Sequence, residues 1–92
     1  MTIWYSRHPD LRLTSLEGEG VVLHLGSRRY FTVSETGLLI LEALQVPCTF
    51  DVLVAALTRE YQVDDQRASD SVRTFLDRCL HANLVRTEER AG

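Results

Sequence analysis

The chain contains no lysine: all ten basic residues are arginines, set against thirteen carboxylates for a formal net charge of −3 over 92 residues. That balance disfavours a general nucleic-acid binder, which needs a basic surface to displace phosphate counterions. Long apolar runs are missing as well. No stretch of about 18 hydrophobic residues is present to span a bilayer, and no basic start followed by an apolar run reads as a secretory signal. The expectations are therefore a cytoplasmic location, no membrane and no nucleic acid as partner. Cysteine is scarce: Cys48 and Cys79 fall in separate helical regions without metal-ligand spacing, so reduced buried thiols are expected in place of a disulfide. Gly18, Gly20, Gly26 and Gly37 form neither a G-x-G-x-x-G nor a G-K-[ST] phosphate loop. His8, His24 and His81 lie far apart and outside any H-E-x-x-H. Asp64-Asp65 is a pair of neighbouring acids that suits a helix start better than acid catalysis. No catalytic residue, metal site or cofactor is expected.

What is present is a chain that folds. Hydrophobic residues make up 45 % of it and charged ones 25 %, so disorder is excluded, and the length suits one domain, residues 1–92. Leu11 to Leu16 alternates, Glu17-Gly18-Glu19-Gly20 is a turn, and Val21 to Leu25 is rich in strand formers. After the Gly26-Ser27 turn, Arg28 to Val33 carries an aromatic pair and two β-branched residues. This is a three-stranded meander. Phe31 and Val33 should share one face of the third strand, and Tyr30 and Thr32 the other.

At Ser34 the period changes from two to that of a helix. Ser34 is a natural N-cap, and Leu38, Leu39, Ile40, Leu41, Ala43 and Leu44 follow so densely that the helix must be buried around most of its circumference until Pro47 ends it. Thr49 caps a second helix with Val52, Leu53, Ala56, Leu57 and Tyr61 on its apolar side, and Asp64-Asp65 opens a third. In the third, Ala68, Val72, Phe75, Leu76, Cys79 and Leu80 make one stripe, and Asn83 suits the left-handed residue that closes the helix. The fold class is α+β: a three-stranded antiparallel sheet followed by three helices, winged-helix-like. Residues 1–10, with Trp4 and Tyr5 ahead of Pro9, form either a flexible arm or a segment that packs on the domain or on a second copy.

Three strands leave two sheet edges, and an unpaired edge is either protected or used. Charge along the chain is uneven: residues 34–65 hold one arginine and six acids, while residues 1–33 and 66–92 are each at +1. In the last helix Arg67, Arg73 and Arg78 are interleaved with Asp70 and Asp77, a mixed face unlike a phosphate-binding helix.

The run "RRYFTVSETGLLILEAL", followed by "TFDVLVAALTREYQV" and "DSVRTFLDRCLHANLV" with its apolar pair Leu84-Val85, resembles the PqqD family. These are small proteins of pyrroloquinoline-quinone biosynthesis, and the wider set includes the PqqD-like recognition elements of ribosomal peptide modification. The resemblance implies a non-catalytic domain that binds the leader of a precursor peptide as an added strand, in a cleft between the third strand and the last helix. It would then present the peptide to a maturation enzyme such as a leader peptidase, a cyclase or a radical SAM enzyme, of the lasso-peptide or quinone-cofactor type. On this reading the leader is met by Arg28, Arg29, Tyr30, Phe31, Thr32 and Val33 of the strand. On the helix, Arg73 and Asp77 give a charged rim, and Leu76 and Leu80 an apolar floor. The alternatives are an internal Arg73–Asp77 pair in the helix, a homodimer made through the same edge, and a winged-helix DNA-binding regulator.

Overall fold

The computed structural model describes residues 1–91. Its order is β1 (Thr2–Arg7), β2 (Leu11–Leu16), β3 (Glu19–His24), β4 (Arg29–Val33), α1 (Glu35–Ala43), β5 (Cys48–Thr49), α2 (Phe50–Glu60), α3 (Asp65–His81) and β6 (Val85–Arg90). The expected meander is β2-β3-β4, antiparallel throughout, with β4 at one edge. The β2–β3 hairpin turns on Glu17 and Gly18, both at positive φ (52° and 84°), the geometry that matches strand twist in a two-residue turn.

All three helix starts are set by the side chains expected. Ser34 Oγ accepts the Gly37 N–H, Thr49 Oγ1 that of Val52, and an Asp64 carboxylate oxygen that of Arg67. At the other end of α3, Asn83 has φ 60°; its N–H reaches the Leu80 carbonyl, and the Leu84 N–H that of Cys79. This paired closure reverses the chain and tucks Leu84 beneath the end of the helix. The core runs between the sheet and all three helices. Leu41 of α1, Leu44 at its C-cap, Leu53 of α2, Val72 of α3 and Val22 of β3 are the core's most completely buried large side chains. Val52, placed on the apolar side of α2 by its spacing, instead faces solvent.

A second sheet is added to this plan. Residues 1–10, left by the sequence as either a flexible arm or a segment packed on the domain or a second copy, contain β1, the middle strand of the order β5-β1-β6. β1 pairs antiparallel with β6 along its whole length, from Thr2↔Arg90 to Arg7↔Val85. The Arg7 and His8 amides are tied to the carbonyls of Leu44 and Leu84, and the Arg90 guanidinium lies 4.7 Å from the Trp4 ring centroid. Where the two sheets meet, the buried imidazoles of His8 and His24 stand 4.4 Å apart; their Nδ1 atoms accept the Asp10 and Ser27 N–H groups.

Candidate functional site

The edge of β4 follows from register. Leu25 N–H donates to the Asp10 carbonyl at 3.0 Å, which makes Asp10 and Leu25 a hydrogen-bonded pair next to Leu11↔His24. In an antiparallel ladder such pairs alternate with non-bonded ones. On β3, therefore, Glu19, Val21 and Leu23 bond toward β2, and Gly20, Val22 and His24 toward β4. Their partners on β4 are Val33, Phe31 and Arg29. The N–H and C=O groups of Tyr30 and Thr32 consequently point away from the sheet, along an edge that no other strand covers among the described residues.

This edge borders a groove against α3. The two elements run side by side in opposite directions. Arg29 and Phe31 lie near Asp77, His81 and Ala82; Phe31 to Ser34 lie near Phe75, Cys79 and Ala82; and Ser34 and Thr36 lie near Asp70, Ser71 and Thr74. Arg78 takes part in all three stretches. The middle stretch is lined by the most apolar residues. Phe31 and Val33 form one wall, Phe75, Cys79 and Ala82 the other, with Leu84 also lining it. At about 320 Å³ it is at the small end of ligand clefts, but past Arg78 it continues in both directions. That shape suits side chains of a peptide lying across it better than one enclosed ligand.

Phe75 is held in place by a close helix approach. A Cβ on Gly37 would come within 2.7 Å of the Phe75 ring, so the missing side chain in the first turn of α1 lets the ring approach the α1 backbone closely. Burial pushes the Cys79 thiol up to about 12, with the Arg78 charge pulling it slightly back, so Cys79 is an apolar wall group at neutral pH. Cys48, in β5, is likewise raised by burial. Among the described residues no cluster of three or more His, Cys, Asp or Glu could hold a metal ion. No helix among them is long and apolar enough to cross a membrane.

The residues singled out in the sequence divide into two sets. Arg29, Phe31, Thr32 and Val33 lie at the groove as expected, and the alternation is as read: Phe31 and Val33 are half-buried toward the core side, whereas Tyr30 and Thr32 are exposed. Tyr30 contributes its backbone to the edge, but its ring sits on the outer face beside the cross-strand Leu23. Arg28 is corrected out of the strand; it closes the β3–β4 turn with φ 60°. On α3 the expected rim is turned by roughly one helical step. Arg73 lies over the Phe50 ring, 5.0 Å from its centroid, beside β1. Leu76 is buried in the core, and Leu80 is absent from the groove lining. Only Asp77 of that set reaches the groove, at its Arg29 end. Phe75, Arg78, Cys79 and Ala82 were missed, although their spacing of three, one and three residues marks a single helix face.

The comparisons with known proteins come to the same fold. A family model described as Coenzyme PQQ synthesis protein D (PqqD) matches residues 19–85. A solved structure described as TbiB1 in complex with the TbiA(beta) leader peptide is similar with a TM-score of 0.75 and 25 % identity, covering 95 % of this chain and 99 % of that one. A second, a lasso peptide synthetase B1 complexed with the leader peptide, has a TM-score of 0.73 and 18 % identity over 89 % of this chain and 96 % of that one. No curated protein matches the sequence.

Proposed function

The chain belongs to the PqqD family, and from that premise we propose that it binds the leader segment of a ribosomally made precursor peptide, as a strand added to β4, and hands the peptide to a maturation enzyme without catalysing a step itself. The observation that carries this reading is the open edge at Tyr30 and Thr32 beside an apolar groove. It occurs in a fold shared with two proteins solved in complex with leader peptides. Strand addition takes its affinity from backbone bonds that any sequence can make and its selectivity from the pockets alongside. Here the edge supplies the first, and the wall of Phe31, Phe75, Cys79 and Ala82 the second.

The arrangement of α3 gives no support to a phosphate-binding helix. Its three arginines point to different places: Arg67 beside Tyr61 and Val63, Arg73 over Phe50, and Arg78 in the groove. They do not combine into one basic stripe.

The test is a calorimetric titration of the purified chain with the synthetic leader half of the short precursor encoded nearest to it, with the core half as control. Leader-selective binding at micromolar affinity or tighter is expected. Equal binding of the two halves, or of neither, counts against the reading.

A further inference from the structure

Among the described residues, Arg78 is the one arginine that lines every stretch of the groove and makes no side-chain hydrogen bond, ion pair or ring contact. Two acids line the groove with it, Asp70 and Asp77, one toward each end. Asp70, at one end of the groove, accepts a hydrogen bond from Gln66 at 3.0 Å. At the other, Asp77 shares the lining with Arg29, whose guanidinium stands 5.6 Å from the Phe31 ring centroid, so the charges of that pair offset each other and Arg78 is left as the uncompensated cation of the groove. A guanidinium aimed into a partly apolar groove is a strong and geometrically selective partner for a carboxylate.

We propose that Arg78 is a specificity-determining residue that reads an acidic side chain on the bound peptide, two residues from the apolar side chain that fills the middle of the groove. This rests on the strand-addition reading above. The spacing follows from the two elements. Arg78 precedes Ala82 by four residues, a rise of about 6 Å along α3. Side chains on one face of a strand repeat every two residues, about 6.7 Å. Because the groove runs along α3, a strand lying on β4 that places an apolar side chain against Phe31 and Ala82 brings its next same-face side chain toward the Ser34 end, which Arg78 also lines. The ligand class is thus an extended peptide with an apolar residue and an Asp or Glu two positions apart.

The experiment is selection from a phage-displayed library of random 12-residue peptides, with the folded chain and its Arg78→Glu, Arg78→Met and Thr32→Pro variants as baits. The parent chain is expected to enrich an apolar residue with a carboxylate two positions away. Arg78→Glu should keep the apolar residue and exchange the carboxylate for Lys or Arg, with peptides crossed between the two baits binding about tenfold more weakly. Arg78→Met should keep the apolar residue and lose the charge requirement. The same carboxylate selected by all three, or no charged position in any of them, overturns the role of Arg78. In that event strand addition still stands if Thr32→Pro recovers none of these peptides. Peptides that bind Thr32→Pro as well as the parent chain, or no enrichment at all, overturn both.

Discussion

Proline at Thr32 and proline at Phe31 differ by one position and should do opposite things. The Thr32 N–H points out of the sheet, so Thr32→Pro removes a donor that β3 does not use, from an edge strand where proline is tolerated. Its side chain is exposed and its N–H is unused in the sheet, so the cost in folding stability should stay well below that of proline at Phe31. For a peptide added to the edge, the same change deletes one backbone bond and leaves a carbonyl of the docked strand unpaired, a loss of about 1–3 kcal/mol, or about 5- to 150-fold in Kd. The Phe31 N–H instead serves the ladder with Val22, and its ring packs against the core. Phe31→Pro should cost at least about 3 kcal/mol. Urea unfolding followed by far-UV circular dichroism, paired with anisotropy of a labelled leader peptide, separates the two effects. Thr32→Pro should fold and bind about 5- to 150-fold more weakly, while Phe31→Pro should fail to fold. A folded Thr32→Pro with undiminished affinity would refute the edge as the site, and equal destabilisation by the two variants would refute the bonding pattern assigned to β4.

Gly37→Ala gains about 1 kcal/mol of helix propensity but drives a methyl group against the Phe75 ring, which lines the groove. The thermal midpoint should stay close to that of the parent while leader affinity falls about tenfold; the reverse pattern would mean that Phe75 is structural only. Cys79 should resist alkylation at pH 8 in the folded chain and react in urea, and a rapidly labelled native thiol would contradict its burial. Because folding raises its pKa from 9.0 to about 12, the contribution of Cys79 to stability is complete below pH 9 and is lost as pH rises toward 12; urea midpoints at pH 7, 9 and 10.5 should show the decline, and Cys79→Ala should flatten it. Deleting residues 1–10 removes the middle strand of a sheet, so the truncated chain should lose cooperative urea unfolding; a truncated chain that unfolds like the parent would make the segment dispensable.

Much of the fold was legible because it is locally encoded. Ser34, Thr49, Asp64 and Asn83 act within four residues of themselves, and the β2-β3-β4 alternation is short-range chemistry. The second sheet is not local. β1 pairs with β6 across more than eighty residues of chain, as at Ile3↔Glu89, and β6 after Val85 runs Arg-Thr-Glu-Glu-Arg, with no apolar alternation to mark it. β5 is two residues long, too short for any period. The strand side of the groove was readable from the aromatic pair and the meander. The helix side was not, because the spacing of Arg73 and Asp77 places them on a common face without saying which neighbour that face meets. Packing of Phe50 beneath Arg73 and of Gly37 against Phe75 decides the rotation of α3, and neither contact has a signature in α3 itself.

The most direct test of strand addition to β4 is residue-resolved amide exchange on the free chain and on the chain saturated with its leader peptide. The free chain should show fast exchange at Tyr30 and Thr32 and slow exchange at Phe31 and Val33. On binding, Tyr30 and Thr32 should slow by at least about tenfold, with Phe31 and Val33 little changed. Saturation that leaves the Tyr30 and Thr32 amides as fast as before would place the peptide elsewhere and contradict the account.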